Sequence, residues 1–171
     1  AVEHLIALGH RNIGYVGSCR NEDRYIGYMD TLKKNNLDMI PEYVVETDQT
    51  EREGYEAMEQ LLKTDDCPTG IYCANDITAV GMLKYLRRCR NLYFTPSIIA
   101  SDNIEEAQFT KPMLTTVALP REEMGRFAIY LLLDRMKGGH TGVVRMELSG
   151  KLLIRNSCSH VSESFWSDYC I

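Results

Sequence analysis

Short apolar runs alternate with stretches of helical periodicity along most of the chain, and this alternation admits few folds. Asn12 to Gly17, Tyr43 to Glu46, Ile71 to Ala74, Ser97 to Ala100 and Thr115 to Leu119 read as short strands. Between them lie helical patterns at Val2–Leu8, Arg24–Asn35, Tyr55–Leu62, Ile77–Arg88 and Glu122–Lys137. A short helical turn covers Glu105 to Phe109. Helices between short buried strands predict an α/β fold, a parallel sheet flanked by helices on both faces. Val143–Leu148 and Lys151–Ile154 read as two more strands, joined at Ser149-Gly150 by a hairpin-like turn or a crossing segment. In Glu122–Lys137 the residues Met124, Phe127, Ala128, Leu131 and Leu132 are expected to face inward, and Gly138-Gly139 ends the helix. The tail from Ser157 to Ile171 is polar apart from Phe165, Trp166 and Tyr169, and much of it is expected to be loosely held.

The segment Pro68-Thr69-Gly70-Ile71-Tyr72-Cys73-Ala74-Asn75-Asp76 locates the functional edge of such a sheet. Asn75 and Asp76 stop the strand and open the helix that follows. They are either a helix cap alone or part of a binding edge, because open α/β sheets bind ligands at the carboxyl ends of their strands. The polar residues after the other strands fall at the same edge: Arg24, Asp48 and Gln49, then Ser101, Asp102 and Asn103. Arg offers a planar fork of donors, while Asp and Asn accept from adjacent hydroxyls. That set suits sugar recognition and needs no nucleophile–base pair. Arg24 reads equally as a surface helix residue and Asp102 as a turn residue.

Enzyme motifs are missing from the 171 residues. Gly14-Tyr15-Val16-Gly17 lacks the third glycine of a dinucleotide fingerprint, and there is no phosphate-binding loop, nucleophile elbow or H-E-x-x-H. No catalytic residue, metal ligand or cofactor is expected. A receiver domain would want an acidic pair where Val16-Gly17-Ser18 stands. The net charge of -5 supplies no basic footprint for nucleic acid. Arg87-Arg88-Cys89-Arg90 marks a helix C-terminus instead. No apolar run reaches the ~20 residues of a membrane span. Six scattered cysteines without C-x-x-C pairing suggest a reducing cytoplasm, with Cys73 a small buried hydrophobe.

The ordered motifs resemble the effector-binding domain of LacI/GalR-type transcriptional repressors, a periplasmic-binding-protein-like fold of type I. They are Leu8-Gly9-His10-Arg11-Asn12-Ile13-Gly14-Tyr15-Val16-Gly17, Arg24-Tyr25-Ile26-Gly27-Tyr28, Cys73-Ala74-Asn75-Asp76 and Ser97-Ile98-Ile99-Ala100-Ser101-Asp102-Asn103. Pro112-Met113-Leu114-Thr115-Thr116-Val117, Glu123-Met124-Gly125-Arg126 and Leu153-Ile154-Arg155-Asn156-Ser157 follow in the same order as in the family. The resemblance implies a C-terminal lobe over residues 1–120, a segment at 121–150 contributing to the N-terminal lobe, a return strand at 151–157 and a tail at 158–171. It implies that the chain is part of a longer protein, whose helix-turn-helix headpiece would bind operator DNA.

By that resemblance Arg24 grips the effector, Asn75 hydrogen-bonds it, and Asp102 binds sugar hydroxyls or a purine ring. Gln49, beside Asp48, stands where many members place a stacking aromatic residue. Ala100, Ser101 and Asn103 also depart from the frequent pattern. The implied effector is a small molecule, most simply a sugar. The implied partner is a second copy of the chain, paired through Ile77–Arg88 and Glu106–Lys111, with Met82, Tyr85 and Phe109 as contact or core residues. The alternative is a periplasmic sugar-binding protein of a transport system. A small α/β enzyme is a third reading without a supporting motif.

Overall fold

A computed structural model describes residues 1–64, 66–89 and 94–161. Its elements are α1 (Val2–Ala7), β1 (Ile13–Gly17), α2 (Asp23–Lys34), β2 (Val44–Glu46), α3 (Glu51–Leu61) and β3 (Gly70–Cys73). They continue with α4 (Asp76–Arg88), β4 (Ser97–Asp102), β5 (Thr115–Ala118), α5 (Arg121–Met136) and β6 (Lys151–Leu153). The single sheet runs β2-β1-β3-β4-β5-β6; the first five strands are parallel and β6 is antiparallel to β5.

Alternation along each strand divides the core into two layers. Ile71 and Cys73 of β3 join Ala57, Met58 and Leu61 of α3 and Ala79, Met82, Leu83 and Leu86 of α4. Tyr72 and Ala74 point the other way, with Val2 and Leu5 of α1 and Tyr28 and Leu32 of α2. The expected helices on both faces are therefore present. The chain ends α1 at Gly9, whose positive φ of 92° lets the peptide turn back so that Gly9 and His10 N–H groups cap the helix carbonyls of Ile6 and Leu5.

Two expectations fail. Val143–Leu148 forms no strand, so there is no hairpin at Ser149-Gly150; the segment is largely exposed and no strand among the described residues lies beside it. The residues of α5 assigned to the core do not face inward. Met124, Phe127 and Leu132 are exposed, as are Ile129, Tyr130 and Leu133, and no residue of this helix is buried. The beginning of the tail is firmly held, and residues 162–171 lie outside the described residues. Ser157 is fully buried: its hydroxyl donates to the Ile98 carbonyl and accepts from the Thr115 N–H, while its carbonyl accepts from the Ile98 N–H. Phe165, Trp166, Tyr169, Arg90 and Cys170 lie outside the described residues.

Candidate functional site

Strand order reverses between β1 and β3: the chain moves from β1 out to β2, then back across to β3. At such a switch point the loops leave in opposite directions and open a crevice at the carboxyl edge. Arg24 in the first turn of α2, Gln49 after β2, Asn75 after β3 and Asp102 at the end of β4 all reach this edge.

Arg24 and Asp102 meet there. Arg24 Nη2 lies 3.2 Å from Asp102 Oδ1, and the two side chains stay 32% and 29% exposed, close enough to solvent for a ligand to reach both. Glu22, which the sequence did not single out, caps α2. Its Oε1 accepts from the Arg24 N–H at 3.4 Å and lies 3.7 Å from Arg24 Nη1. Burial pushes the Asp102 carboxyl above its usual range, while Arg24 and Arg121 pull against that and Glu22 adds to it.

Asn75 has both ends of its side chain occupied. Its oxygen accepts from the Thr78 N–H at 3.0 Å, capping α4, and its amide donates to the Gln49 carbonyl at 3.2 Å. It ties the loop after β2 to the loop after β3. Gln49 is held at a positive φ of 63°, half-buried, and Asp48 is exposed beside it. Tyr72 and Ser101, neighbours on β3 and β4, pair their hydroxyls at 3.2 Å below the crevice. Tyr15, Tyr25, Tyr28 and Tyr72 form one aromatic cluster under Arg24.

The loop carrying Asp102 is gripped from several sides. Asp102 and Asn103 both adopt positive φ, at 116° and 53°, a backbone shape that needs support. Arg121 donates to the carbonyls of Asp102 and Asn103. Arg155 donates to Asn103 Oδ1 at 2.7 Å and to the Leu114 carbonyl at 2.8 Å. Asp76, fully buried, accepts from Thr116 Oγ1 at 2.6 Å and from the Ile104 N–H at 2.9 Å. Burial raises its carboxyl, opposed by those two hydrogen bonds. Asp76 is thus an anchor for the loop after β4 as well as a residue of the α4 start. Sequence spacing could not reveal this, since its partners lie 28 and 40 residues away.

Along α4, Leu83, Lys84, Arg87, Glu106, Phe109 and Lys111 line a groove of about 260 Å³. Of the three residues weighed for pairing, Met82 is fully buried and belongs to the core. Tyr85 is half-buried, edge-on to Tyr55. Phe109 is 77% exposed. Among the described residues no group of His, Cys, Asp or Glu could hold a metal, and no helix is long and apolar enough to cross a membrane.

Comparison with known proteins agrees with the fold. Residues 2–158 match the periplasmic binding protein-like domain family. The repressor CytR of Escherichia coli strain K12 is 37% identical over 163 residues, which is 92% of this chain and 48% of CytR. A LacI-family regulator from Enterococcus faecium with bound ribose superposes with a TM-score of 0.78 at 27% identity, over 93% of this chain and 60% of that one. The regulator CelR in complex with cellobiose gives a TM-score of 0.84 at 29% identity, over 92% of this chain and 50% of that one. The chain spans about half the length of the curated relatives it matches. With motifs, sheet order and relatives in agreement, the chain belongs to the periplasmic binding protein-like domain family, in the form carried by LacI-type transcriptional regulators.

Proposed function

We propose that these residues sense a small effector within a LacI-type transcriptional repressor. The observation that carries the reading is the Arg24–Asp102 pair, exposed at the switch point of the sheet. A donor fork beside a carboxylate can satisfy two adjacent hydroxyls at once, one accepting and one donating. Ribose and cellobiose in two structural relatives favour a sugar as the class. Both are regulators, which favours regulation over the transport-linked alternative. The reaction class is recognition, with no bond made or broken.

In this reading residues 1–120 form the C-terminal lobe, 121–150 contribute to the N-terminal lobe, and 151–157 return. The exposed apolar surface of α5 supports it, since a helix of this composition is stable only when covered. Effector binding shifts the lobes between two arrangements for which it has different affinity. Operator DNA in the cytoplasm is then contacted by a headpiece outside these residues. Calorimetric titration of the intact protein with mono- and disaccharides tests the site. Arg24→Ala and Asp102→Ala each remove a charged hydrogen bond and should weaken binding about 10- to 100-fold. Gln49→Ala should cost less, because no aromatic face is lost. Both charge variants binding like the wild type would place the site elsewhere. Binding of a purine in place of every sugar would keep the site and overturn the sugar class.

The same reading pairs two copies through Ile77–Arg88 and Glu106–Lys111. Phe109, exposed at the rim of the groove beside Leu83, is the apolar anchor that supports it. Phe109→Asp should shift the intact protein from dimer toward monomer at micromolar concentration in light scattering; an unchanged dimer would remove Phe109 from the interface.

A further inference from the structure

Arg24 reaches the crevice edge, and carboxylates flank it on both sides. Asp102 lies 3.2 Å from one guanidinium nitrogen and Glu22 3.7 Å from the other. The neighbouring cations are also engaged. Arg20 faces Glu46 at 3.8 Å, Arg121 donates to the Asp102 and Asn103 carbonyls, and Arg155 donates to Asn103 and Leu114.

The helix starts at this edge are capped by the chain's own side chains. Because α2, α3 and α4 follow parallel strands, each begins at the carboxyl edge, where its N–H groups and dipole would favour an anion. In α2 the Arg24 N–H goes to Glu22, with Asp23 next to it. In α3 Thr50 and Glu53 close a capping box, with Glu51 in the same turn. In α4 the Thr78 N–H goes to Asn75, and buried Asp76 adds its charge. Each helix start at this edge therefore already gives an N–H to the chain's own side chain and carries an acidic residue in its first turn.

We infer that the effector of this crevice is uncharged, and that Glu22 is a specificity-determining residue that turns away phosphorylated and carboxylated ligands. The inference rests on the effector reading of Arg24 and Asp102. A neutral polyol fits this arrangement: one hydroxyl accepts from Arg24 while the next donates to Asp102. An anionic group seated on Arg24 would meet two like charges at short range, each weakening its binding by roughly 10-fold.

Phosphorus NMR of inorganic phosphate with the intact protein tests this. The readout is line broadening that Arg24→Ala abolishes, so phosphate bound elsewhere does not count. The wild type should show none at millimolar phosphate. Glu22→Gln and Glu22→Ser, each combined with Asp102→Asn, should gain it, with affinity about 100-fold above the wild type. Serine keeps an N-cap acceptor without the charge, so α2 retains its start in at least one of the two variants. Arg24-dependent broadening in the wild type overturns the inference while leaving the site in place. Absence of any gain in both neutralised variants also overturns it. The effector reading itself fails by a different result, a sugar affinity that Arg24→Ala does not change.

Discussion

Alanine at Gly54 or at Gly81 is expected to lower stability by about 3 kcal/mol, although both glycines sit inside helices. On an isolated helix the same change would gain about 1 kcal/mol. Packing reverses the sign. A Cβ on Gly54 of α3 would stand 1.9 Å from the Thr78 carbonyl oxygen of α4, and one on Gly81 of α4 would stand 1.9 Å from the Glu51 carbonyl oxygen of α3. The obstacles are backbone atoms, so no rotamer change relieves them and the two helices must separate along a core that includes Met58, Leu61, Met82 and Leu86. Urea unfolding of each variant checks the result. A midpoint equal to or above that of the wild type would show that α3 and α4 can move apart at little cost. Separation would also shift the starts of both helices, where Gln49 and Asn75 meet, so effector affinity should fall with stability.

Asp76→Ala carries the second large effect, a loss of about 2–3 kcal/mol. The substitution leaves the Ile104 N–H and the Thr116 hydroxyl without their acceptor in a buried place. Each unsatisfied donor costs about 1–3 kcal/mol, and relief from burying a carboxylate returns part of that. Asp76→Asn keeps the shape but turns an amide donor toward a donor, so it should recover only part of the loss. Thr116 also accepts from the Asn103 N–H at 3.3 Å, which links the same anchor to the loop that carries Asp102. Weaker effector binding should therefore accompany the lower urea midpoint in both variants. Wild-type stability in Asp76→Ala would mean that water replaces the carboxylate without cost.

Most of the sheet was legible because a strand declares itself over a few consecutive residues. Gly70–Cys73 and Ser97–Asp102 are apolar runs with polar stops, and the helices after them carry their own caps. Val143–Leu148 misled for the same reason. Its β-forming residues describe a preference, while a strand also needs a neighbour for its backbone groups, and none of the described residues supplies one. The inward face assigned to α5 failed alike: apolar residues in a helical run cannot by themselves show what covers them.

The polar edge divides in the same way. The chemistry of the candidate site was present in the order of residues, since Arg24, Asn75 and Asp102 each follow a strand and match an ordered set of motifs. Family, layer order and the crevice at the strand ends were thereby determined locally, by patterns a few residues long. Three-dimensional structure alone decided which of these residues touch. It joined Arg24 to Asp102 across 78 residues, turned both ends of Asn75 inward, and brought in Glu22, Arg121 and Arg155. Contacts so distant in sequence depend on strand register and helix packing, and these are properties of the whole core that no single segment encodes.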